Sequence, residues 1–480
     1  MNSTDLLALL PLLLIAATAI LVMLAIAVRR SHLASALLTV LGLCAAFGTL
    51  FIAAPLVPRD VTPLLTIDSG ALFYIGLILA ASIAVVFLCY GYFKQEEEHR
   101  PEELYLLIAI AALGSGVLVC ARHFASLFLG LEILSVALYG LISYERTTKA
   151  SIEVGLKYLV LAAASASFLI FGIAIVYFEF GTMDFGGILP DSPAGAVDSA
   201  TIAVGVTLIV VGIGFKLGLV PFHMWTPDVY EGAPAPVAAF VSTVSKGAMF
   251  ALLIRFFDRS GMRGDSSLVL VFSIIAIASM FAGNLLALLQ DNVKRILAYS
   301  SIAHLGYLIV AFEAGGAIGR SAVAFYLVAY FATMLGAFGV VTVLSRPGND
   351  LGDLSGYRGL FWRRPVLASV FTVMLLSLAS IPLTAGFLGE FYLVAAGVSG
   401  SLWALVIILV VTSAIGLFYY LRIVVALYSR TAQPAGAWPS RINSHSLSWT
   451  LGVLTAAVIL IGCYPSPVMR LIQTMVAGSG

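Results

Sequence analysis

Long, nearly uncharged stretches alternate with short charged segments along the whole chain. A transmembrane helix needs about 20 mostly apolar residues, and by that rule the sequence holds about fourteen candidate spans. Charged residues make up only 10% of the 480 residues and hydrophobic ones 61%, far from the composition of a soluble domain. The 25 basic residues are balanced by 24 acidic ones, which excludes a basic surface for nucleic acid. The pattern predicts an all-α polytopic membrane protein.

Basic residues are distributed unevenly between the two sets of loops. The loops that follow odd-numbered spans contain fourteen lysines and arginines, and those that follow even-numbered spans contain six. Cytoplasmic loops carry the excess of Lys and Arg, so we expect both termini to be extracytoplasmic. The first span has no basic residue before it and Arg29 and Arg30 after it, the reverse of a signal peptide, and we interpret it as a retained helix.

Prolines interrupt two of the spans. The seventh continues into LGLVPFHMWTPDVYEGAPAP, and a proline inside a helix removes a hydrogen bond and clashes with the preceding turn. We therefore expect this helix to break or end near Pro221. The twelfth span contains Ile381-Pro382 followed by LTAGFLGEF, which predicts a second break. Broken helices five spans apart indicate an internal repeat, as in many transporters.

Five ionisable side chains lie well inside spans or beside a helix break: Glu132, Lys157, Lys216, Lys246 and Glu390. Each costs about 2.5–3.5 kcal/mol at the centre of a membrane helix, and such residues usually mark ion or proton paths. The alternative is that they form buried ion pairs that fix helix registry. Arg255 and Arg422 lie close to span ends, and we expect their charged heads to reach the interface.

These residue types suit proton transfer, because burial favours the neutral form of both lysine and glutamate. Glu132 on the fifth span and Lys216 on the seventh are candidates for a switchable pair, and Lys246 on the eighth is the next candidate carrier. Lys157 follows Glu153 by four residues on the sixth span, so a plain ion pair is an alternative there.

His304, in SSIAHLGY on the tenth span, is a candidate relay, since an imidazole both donates and accepts a proton. The alternative is a neutral histidine bonded to a backbone carbonyl or to Ser300 or Ser301. Glu390, in GFLGEF, is the candidate terminal group.

We expect no redox or nucleotide site in this chain. The four cysteines are far apart, with no CxxC or Cys/His ligand spacing, so neither a metal site nor a disulfide framework is predicted. The segment GIGFKLG at 212–218 is not a GxGxxG fingerprint, and no phosphate-binding loop sequence occurs. The chain itself should bind neither NADH nor ATP.

Three long motifs carry a resemblance to a known family. They are GFKLGLVPFHMWTPDVYEGAPAPVAAFVSTVSKGAMFALLIRFF at 214–257, NVKRILAYSSIAHLGYL at 292–308 and LEILSVALYGLISY at 131–144. They resemble the antiporter-like proton-channel subunits of respiratory complex I, the NADH-quinone oxidoreductase. The span count and YERTTKASIEVGLKYLVLAAASASFLIFG at 144–172 make the chain most similar to the bacterial N-type subunits.

The resemblance implies two inverted five-helix repeats with broken seventh and twelfth helices. It divides the chain into helices 1–3 (residues 1–102), a first repeat of helices 4–8 (103–257), a second repeat of helices 9–13 (258–428) and helix 14 (429–480). It also implies a proton route lined by Glu132, Lys157, Lys216, Lys246, His304 and Glu390.

By the same resemblance, the chain is one subunit of a multi-pass translocase in the bacterial inner membrane. NADH, FMN, iron–sulfur clusters and quinone are implied in partner subunits, and the partners are the other membrane and peripheral subunits of complex I and the lipid bilayer. Glu390 departs from the pattern, because N-type subunits more often have lysine there. Two alternatives stay open: a Na⁺ or K⁺/H⁺ antiporter subunit, and a passive scaffold for other subunits.

Overall fold

A computed structural model describes residues 2–94, 101–146, 148–188, 200–430 and 445–477. Within these ranges, thirteen helices are long and apolar enough to cross a membrane. Two shorter apolar helices, Pro365–Leu378 and Ala385–Ser399, lie on either side of the break in the twelfth span and together make the remaining one. The expected polytopic helical bundle is therefore confirmed. Arg100 and Arg441, which contribute to the basic excess in the odd-span loops, lie outside the described residues.

The helices of the first half are α1 (Ser3–Val28), α2 (His32–Ala53), α3 (Ser69–Phe93), α4 (Glu102–Cys120), α5 (Phe124–Ile142), α6 (Lys149–Phe180), α7 (Ala200–Leu217), α8 (Trp225–Gly232), α9 (Ala235–Phe240) and α10 (Lys246–Ser260). Those of the second half are α11 (Ser266–Leu288), α12 (Val293–Ala314), α13 (Gly316–Leu344), α14 (Leu360–Arg363), α15 (Pro365–Leu378), α16 (Ala385–Ser399), α17 (Trp403–Tyr428), α18 (His445–Cys463) and α19 (Ser466–Ile472). The eighth span combines α9 and α10, the ninth to eleventh are α11–α13, the twelfth combines α15 and α16, and the last two are α17 and α18. We call the two ends of the bundle the odd-span end and the even-span end, after the spans that finish there.

The seventh span breaks where its proline predicts. Helix α7 ends at Leu217, and the chain turns through Gly218, whose φ is +74°, and Pro221 before α8 begins. The backbone groups released by the break find partners inside the protein: Trp225 Nε1 donates to the Phe215 carbonyl at 2.8 Å. Irregular backbone survives at membrane depth only where its polar groups are satisfied in this way.

The twelfth span breaks between Leu378 and Ala385, as Pro382 predicts. The amide of Gly386 donates to Ser377 Oγ at 3.1 Å, which ties the start of α16 back to the end of α15. A Cβ added to Gly386 would lie 1.8 Å from the Ser377 carbonyl oxygen, so only glycine fits this approach.

A third irregularity lies in the eighth span, which the sequence predicts to be continuous. Between α9 and α10 the backbone widens into a π-helical turn over Val241–Ser245, and Lys246 follows it directly. Such turns inside α-helices occur frequently at functional sites. The most apolar stretch of this span is completely buried, and those of α12 and α13, which pack around it, are almost completely buried. The core of the molecule is therefore formed by the eighth, tenth and eleventh spans.

The even-span end is closed by a short β-hairpin that the sequence did not indicate. Strand β1 (Arg59–Thr62) pairs antiparallel with β2 (Leu65–Ile67) in the loop before α3. Arg255 lies nearby, at the same end of the bundle, and is paired with Asp68. Its side chain is buried against Asp68, with Arg255 Nη2 2.8 Å from Asp68 Oδ1.

Candidate functional site

Lys216 occupies the last turn of α7, immediately before the break, and its side chain is buried. Its Nζ donates to Ser135 Oγ on α5 at 2.7 Å, and Ser135 in turn donates to the Leu131 carbonyl. The Tyr158 ring lies below the ammonium group, with its centroid 5.4 Å from Nζ. The lysine is therefore held by a hydroxyl and an aromatic face.

Glu132 lies one turn before Ser135 on α5 and is half-buried. The structure describes no ion pair between Glu132 and Lys216, although both residues lie in its described ranges. Glu132 Oε1 is buried, and none of the described residues forms a hydrogen bond with it. The sequence offers Glu132 and Lys216 as a switchable pair; in this structure the lysine donates its hydrogen bond to Ser135, and Glu132 lies within electrostatic range of Lys216.

Lys246 follows the π-helical turn and is almost completely buried. Its Nζ donates to Ser301 Oγ on α12 at 2.8 Å and lies 5.2 Å from the centroid of the Tyr230 ring. A Cβ added to Gly218 would lie 3.7 Å from this Nζ, so the break that follows Lys216 opens directly onto Lys246. The break and the π-helical turn thus bring the two lysine-bearing segments together.

Ser301 connects Lys246 to the tyrosines of the second half. Its hydroxyl lies 2.6 Å from Tyr330 Oη on α13 and 3.3 Å from Tyr230 Oη on α8. The Tyr330 ring is 5.8 Å, centroid to centroid, from His304, which lies one turn after Ser301 on α12. A hydroxyl both donates and accepts a hydrogen bond, so this cluster can pass a proton from one group to the next.

His304 is buried and is bonded at both ring nitrogens. Its Nδ1 lies 2.5 Å from Tyr326 Oη and its Nε2 lies 3.0 Å from Tyr420 Oη. Tyr420 Oη also contacts Ser300 Oγ. The alternative partners considered from the sequence, a backbone carbonyl or a neighbouring serine, are thus replaced by two phenols.

Glu390 is buried near the break of the twelfth span. It accepts hydrogen bonds from Ser380, in the break itself, and from Ser413 on α17. Tyr326, which contacts His304, and Tyr307, one turn further along α12, both lie within electrostatic range of its carboxylate. The described contacts of Arg422 are Asp291 and the Leu288 and Gln290 carbonyls, so Arg422 is not the partner of Glu390.

Lys157 lies apart from these residues. It is on an outward face of α6, where about half of its side chain is exposed, and its Nζ is 2.7 Å from Glu153 Oε1. It lines a groove of about 460 Å³ together with Trp225 and Asp228 of α8. The structure thus contains the i,i+4 ion pair that the sequence offered as the alternative for Lys157.

A second polar cluster, at the odd-span end, was not found from the sequence. Tyr92 Oη lies 2.9 Å from Glu145 Oε1 and 2.8 Å from Asp350 Oδ1, and Lys294 Nζ lies 2.5 Å from Asp350 Oδ2. Glu145 and Lys294 are both buried. Burial, reinforced by the negative charge of Asp350, raises the pKa of Glu145 above its ordinary value. In the sequence Glu145, Lys294 and Asp350 belong to charged loops and look solvated, so no local signal distinguishes them.

A helical bundle with interrupted spans and buried ionisable groups is the architecture of membrane proteins that move ions. Residues 121–416 match the family described as NADH:quinone oxidoreductase/Mrp antiporter, transmembrane region, and the chain belongs to that family. It is 48% identical to NADH-quinone oxidoreductase subunit N of Ectopseudomonas mendocina (strain ymp), over 98% of this chain and 97% of that protein. The resemblance to N-type subunits is confirmed.

Solved structures give the same result for the fold. A chain of respiratory complex I from Thermus thermophilus with bound aureothin matches with a TM-score of 0.81 and 30% identity, over 96% of this chain and 98% of that one. A chain of the Mrp complex from Dietzia sp. DQ12-45-1b matches with a TM-score of 0.86 and 18% identity, over 100% and 98%. A chain of the archaeal membrane-bound sulfane sulfur reductase matches with a TM-score of 0.83 and 23% identity, over 98% of each. The last two likenesses show the fold alone.

Proposed function

We propose that this chain is the N-type proton-translocating membrane subunit of a bacterial NADH:quinone oxidoreductase. It would be the driven part of a larger complex, in which NADH, FMN, iron–sulfur clusters and quinone belong to partner subunits. The near full-length identity to an N subunit supports this assignment. The row of buried side chains that begins at Lys216 and ends at Glu390 is the observation that carries the mechanism.

Protons would cross by exchange between neighbouring groups of this row. Lys216 takes a proton beside Glu132 and passes it to Lys246 across the break of the seventh span. From Lys246 it moves through Ser301 and Tyr330 to His304, whose two nitrogens have phenol partners, and then to Glu390. Each group between the lysines and the glutamate both donates and accepts. Lys157 remains a proposed member of the proton route, at its periphery beside Glu153.

The distribution of basic loop residues supports an orientation with both termini extracytoplasmic. The odd-span end is then cytoplasmic, and the cluster of Glu145, Tyr92, Asp350 and Lys294 is the proposed place of proton uptake. The domain division implied by the family is part of the same proposal: residues 1–102, a first repeat over 103–257, a second over 258–428, and the C-terminal 429–480. The positions of the two breaks, five spans apart, support it.

One observation favours a second candidate, a Na⁺ or K⁺/H⁺ antiporter subunit. Glu390, Ser380 and Ser413 form a buried group in which all the polar side-chain atoms are oxygens, and oxygen ligands suit hard cations. The lysines and the histidine in the rest of the row do not provide oxygen ligands for such a cation. The proton pump is therefore preferred.

The test is to reconstitute the assembled complex in vesicles and measure NADH-driven proton uptake with and without Na⁺ and K⁺. The proton pump predicts uptake that is independent of both ions and falls at least about tenfold in Lys246→Ala, since relay groups contribute about 10²–10⁴ to proton-transfer rates. Lys149→Ala, at an exposed lysine of α6, is the matched control and should pump normally. Transport that requires Na⁺ would favour the antiporter. Full pumping in Lys246→Ala would favour the scaffold.

A further inference from the structure

A cavity of about 430 Å³ lies at the even-span end, away from the row of buried side chains. It is enclosed by the start of α3, the end of α10, the start of α13 and the C-terminal segment, which contributes Val476. Its polar walls are formed by Asp68, Tyr74, Arg255, Asp258, Arg259 and Arg320. None of the proposed proton carriers lines it.

Two arginines share Asp68. Arg255 Nη2 lies 2.8 Å from Asp68 Oδ1 and Arg259 Nη2 lies 4.0 Å from Asp68 Oδ2. Asp68 is already engaged as the cap of α3, where its carboxylate accepts the amide of Ala71 at 2.7 Å. One carboxylate therefore faces two guanidinium groups.

Asp258 is also contacted by two arginines. It is contacted by Arg263, and by Arg320 with Nη1 3.4 Å from Oδ2. Arg263 and Arg320 thus meet at Asp258 as Arg255 and Arg259 meet at Asp68. The nearby Arg122 contacts two aspartates, Asp60 and Asp184, but Asp60 is mainly exposed to solvent. At Asp68, two guanidinium groups share one carboxylate that also caps α3. Buried positive charge that is only partly compensated is costly, so this wall of the cavity is suited to a bound anion.

Hydrogen-bond donors face the cavity without acceptors. The amides of Ser69 and Gly70 open α3, a helix of 25 residues, and the first amides of a helix have no intrahelical partner. Tyr74, one turn further on, is only 7% exposed, and its hydroxyl has no hydrogen-bond partner among the described residues. The same holds for Arg255 Nη1. Amides at a helix N-terminus, guanidinium groups and a phenol together form a set of donors for an anion with several acceptor oxygens.

We propose that this cavity binds an oxyanion of the phosphate class, held by Arg255 and Arg259, the α3 N-terminus and Tyr74. Hydrogen-bond donors without acceptors do not suit a cation, and a neutral ligand would leave the second guanidinium group at Asp68 only partly compensated. The cavity lies where α3 begins and α10 ends, which is the depth of phospholipid headgroups in a bilayer. The same chemistry is offered by the phosphodiester of an anionic lipid and by free phosphate, and the experiment separates the two.

The full chain, purified in detergent and stripped of lipid, is titrated separately with phosphatidylglycerol, with inorganic phosphate and with diacylglycerol, which lacks the phosphate. Bound molecules are counted by native mass spectrometry. We expect one tight phosphorus-containing ligand in the unmodified protein. Its affinity should fall at least about tenfold in Arg259→Gln and several-fold in Tyr74→Phe, since hydrogen bonds to charged groups are stronger than those between neutral groups. Arg259→Lys, which keeps the charge, should partly restore binding.

Arg470→Gln is the matched control, because Arg470 is an exposed arginine of α19 that does not line the cavity. Tyr74→Phe keeps the volume of the side chain, so it tests the site even if Arg259→Gln fails to fold. If the variants lose binding only in the phosphatidylglycerol titration, the ligand is a lipid headgroup. If they lose binding in the phosphate titration, the ligand is a free anion. The proposal is overturned if the unmodified protein, Arg259→Gln and Tyr74→Phe all bind a phosphorus-containing probe with equal affinity. Pumping is not the readout, so the result is independent of the proposed function.

Discussion

At the scale of single residues, the titratable groups of the row have one property in common: each contacts a hydroxyl group. Lys216 is bonded to Ser135, Lys246 to Ser301, His304 to two tyrosines and Glu390 to Ser380. A direct ion pair would stabilise one charge state of both partners. A hydroxyl accepts from a lysine and donates to a carboxylate, so it stabilises a carrier without fixing its proton.

Ser301 provides the most direct test of this arrangement. We expect Ser301→Ala to lower NADH-driven pumping about tenfold or more, because it removes the hydroxyl between Lys246 and Tyr330. Tyr330→Phe should act in the same direction. Tyr357→Phe is the control, since Tyr357 is equally buried but donates to the Leu351 carbonyl outside the row. Pumping in vesicles measures all three, and a normal rate in Ser301→Ala contradicts the relay.

Glu390 gives a second test, because its partners are serines and Arg422 is bound elsewhere. If the group only needs to titrate, Glu390→Lys should pump better than Glu390→Gln, although glutamine is closer to glutamate in shape. Both variants should be assayed in complexes shown to contain this subunit. The reverse order, with glutamine mild and lysine worst, would identify Glu390 as a structural acceptor of hydrogen bonds.

The sequence identifies charged residues at membrane depth but not the direction in which their side chains point. Lys216, Lys246 and Glu390 were found because a charge in an apolar span is costly, and the structure buries all three. Lys157 carries the same signal, yet it lies on an outward face with Glu153. The hydroxyl partners were not found, because serines or tyrosines occur in most spans and their pairing is fixed only by tertiary packing.

At the scale of elements, the three irregular segments place the carriers. Proline predicts the breaks in the seventh and twelfth spans, which put Lys216 and Glu390 beside irregular backbone. The π-helical turn before Lys246 was not predicted, because VSTVS contains neither proline nor glycine. It lies in the apolar stretch of a span that is buried on all sides, and a local sequence pattern does not report such tertiary packing.

Gly386 tests whether the break of the twelfth span is required. In Gly386→Ala the new methyl group would meet the Ser377 carbonyl, and we expect destabilisation of at least about 1–3 kcal/mol, the usual cost of overpacking. The measurement is the amount and thermal stability of the assembled subunit. In Gly452→Ala, on α18, the methyl group meets nothing within 4 Å, so stability should be unchanged or slightly higher. Equal stability of the two variants would mean that the close contact at Gly386 is not needed.

At the scale of the whole molecule, orientation is the property on which the direction of transport depends. A C-terminal reporter that is active only in the cytoplasm should be silent, because an even number of spans and the excess of basic residues in the odd-span loops predict that both termini are outside. The same reporter fused after Arg346, between the eleventh and twelfth spans, should be active. Activity only at the C-terminus would invert the orientation and would move the proposed uptake cluster to the outer side.

The polar cluster at the odd-span end joins distant parts of the chain, because Tyr92 of α3 contacts both Glu145 and Asp350. Tyr92 has one hydroxyl proton, so it cannot donate a full hydrogen bond to both carboxylates. Burial raises the pKa of Glu145. The folded protein therefore keeps Glu145 protonated up to a higher pH than the unfolded chain does. The free energy of unfolding should then fall as the pH rises from the ordinary glutamate value of 4.5 through the raised value.

Glu145→Gln keeps this side chain neutral at every pH and should remove that part of the dependence. We expect the variant and the unmodified protein to have equal thermal midpoints below the ordinary pKa of glutamate, and the variant to be the more stable one at higher pH. Glu179→Gln, at an exposed carboxylate of α6, is the control and should leave the profile unchanged. If Glu145 also collects protons for the row, Glu145→Gln should pump more slowly although it is more stable. Slower pumping with lower stability at high pH would instead mean that the ionised carboxylate holds the odd-span end together.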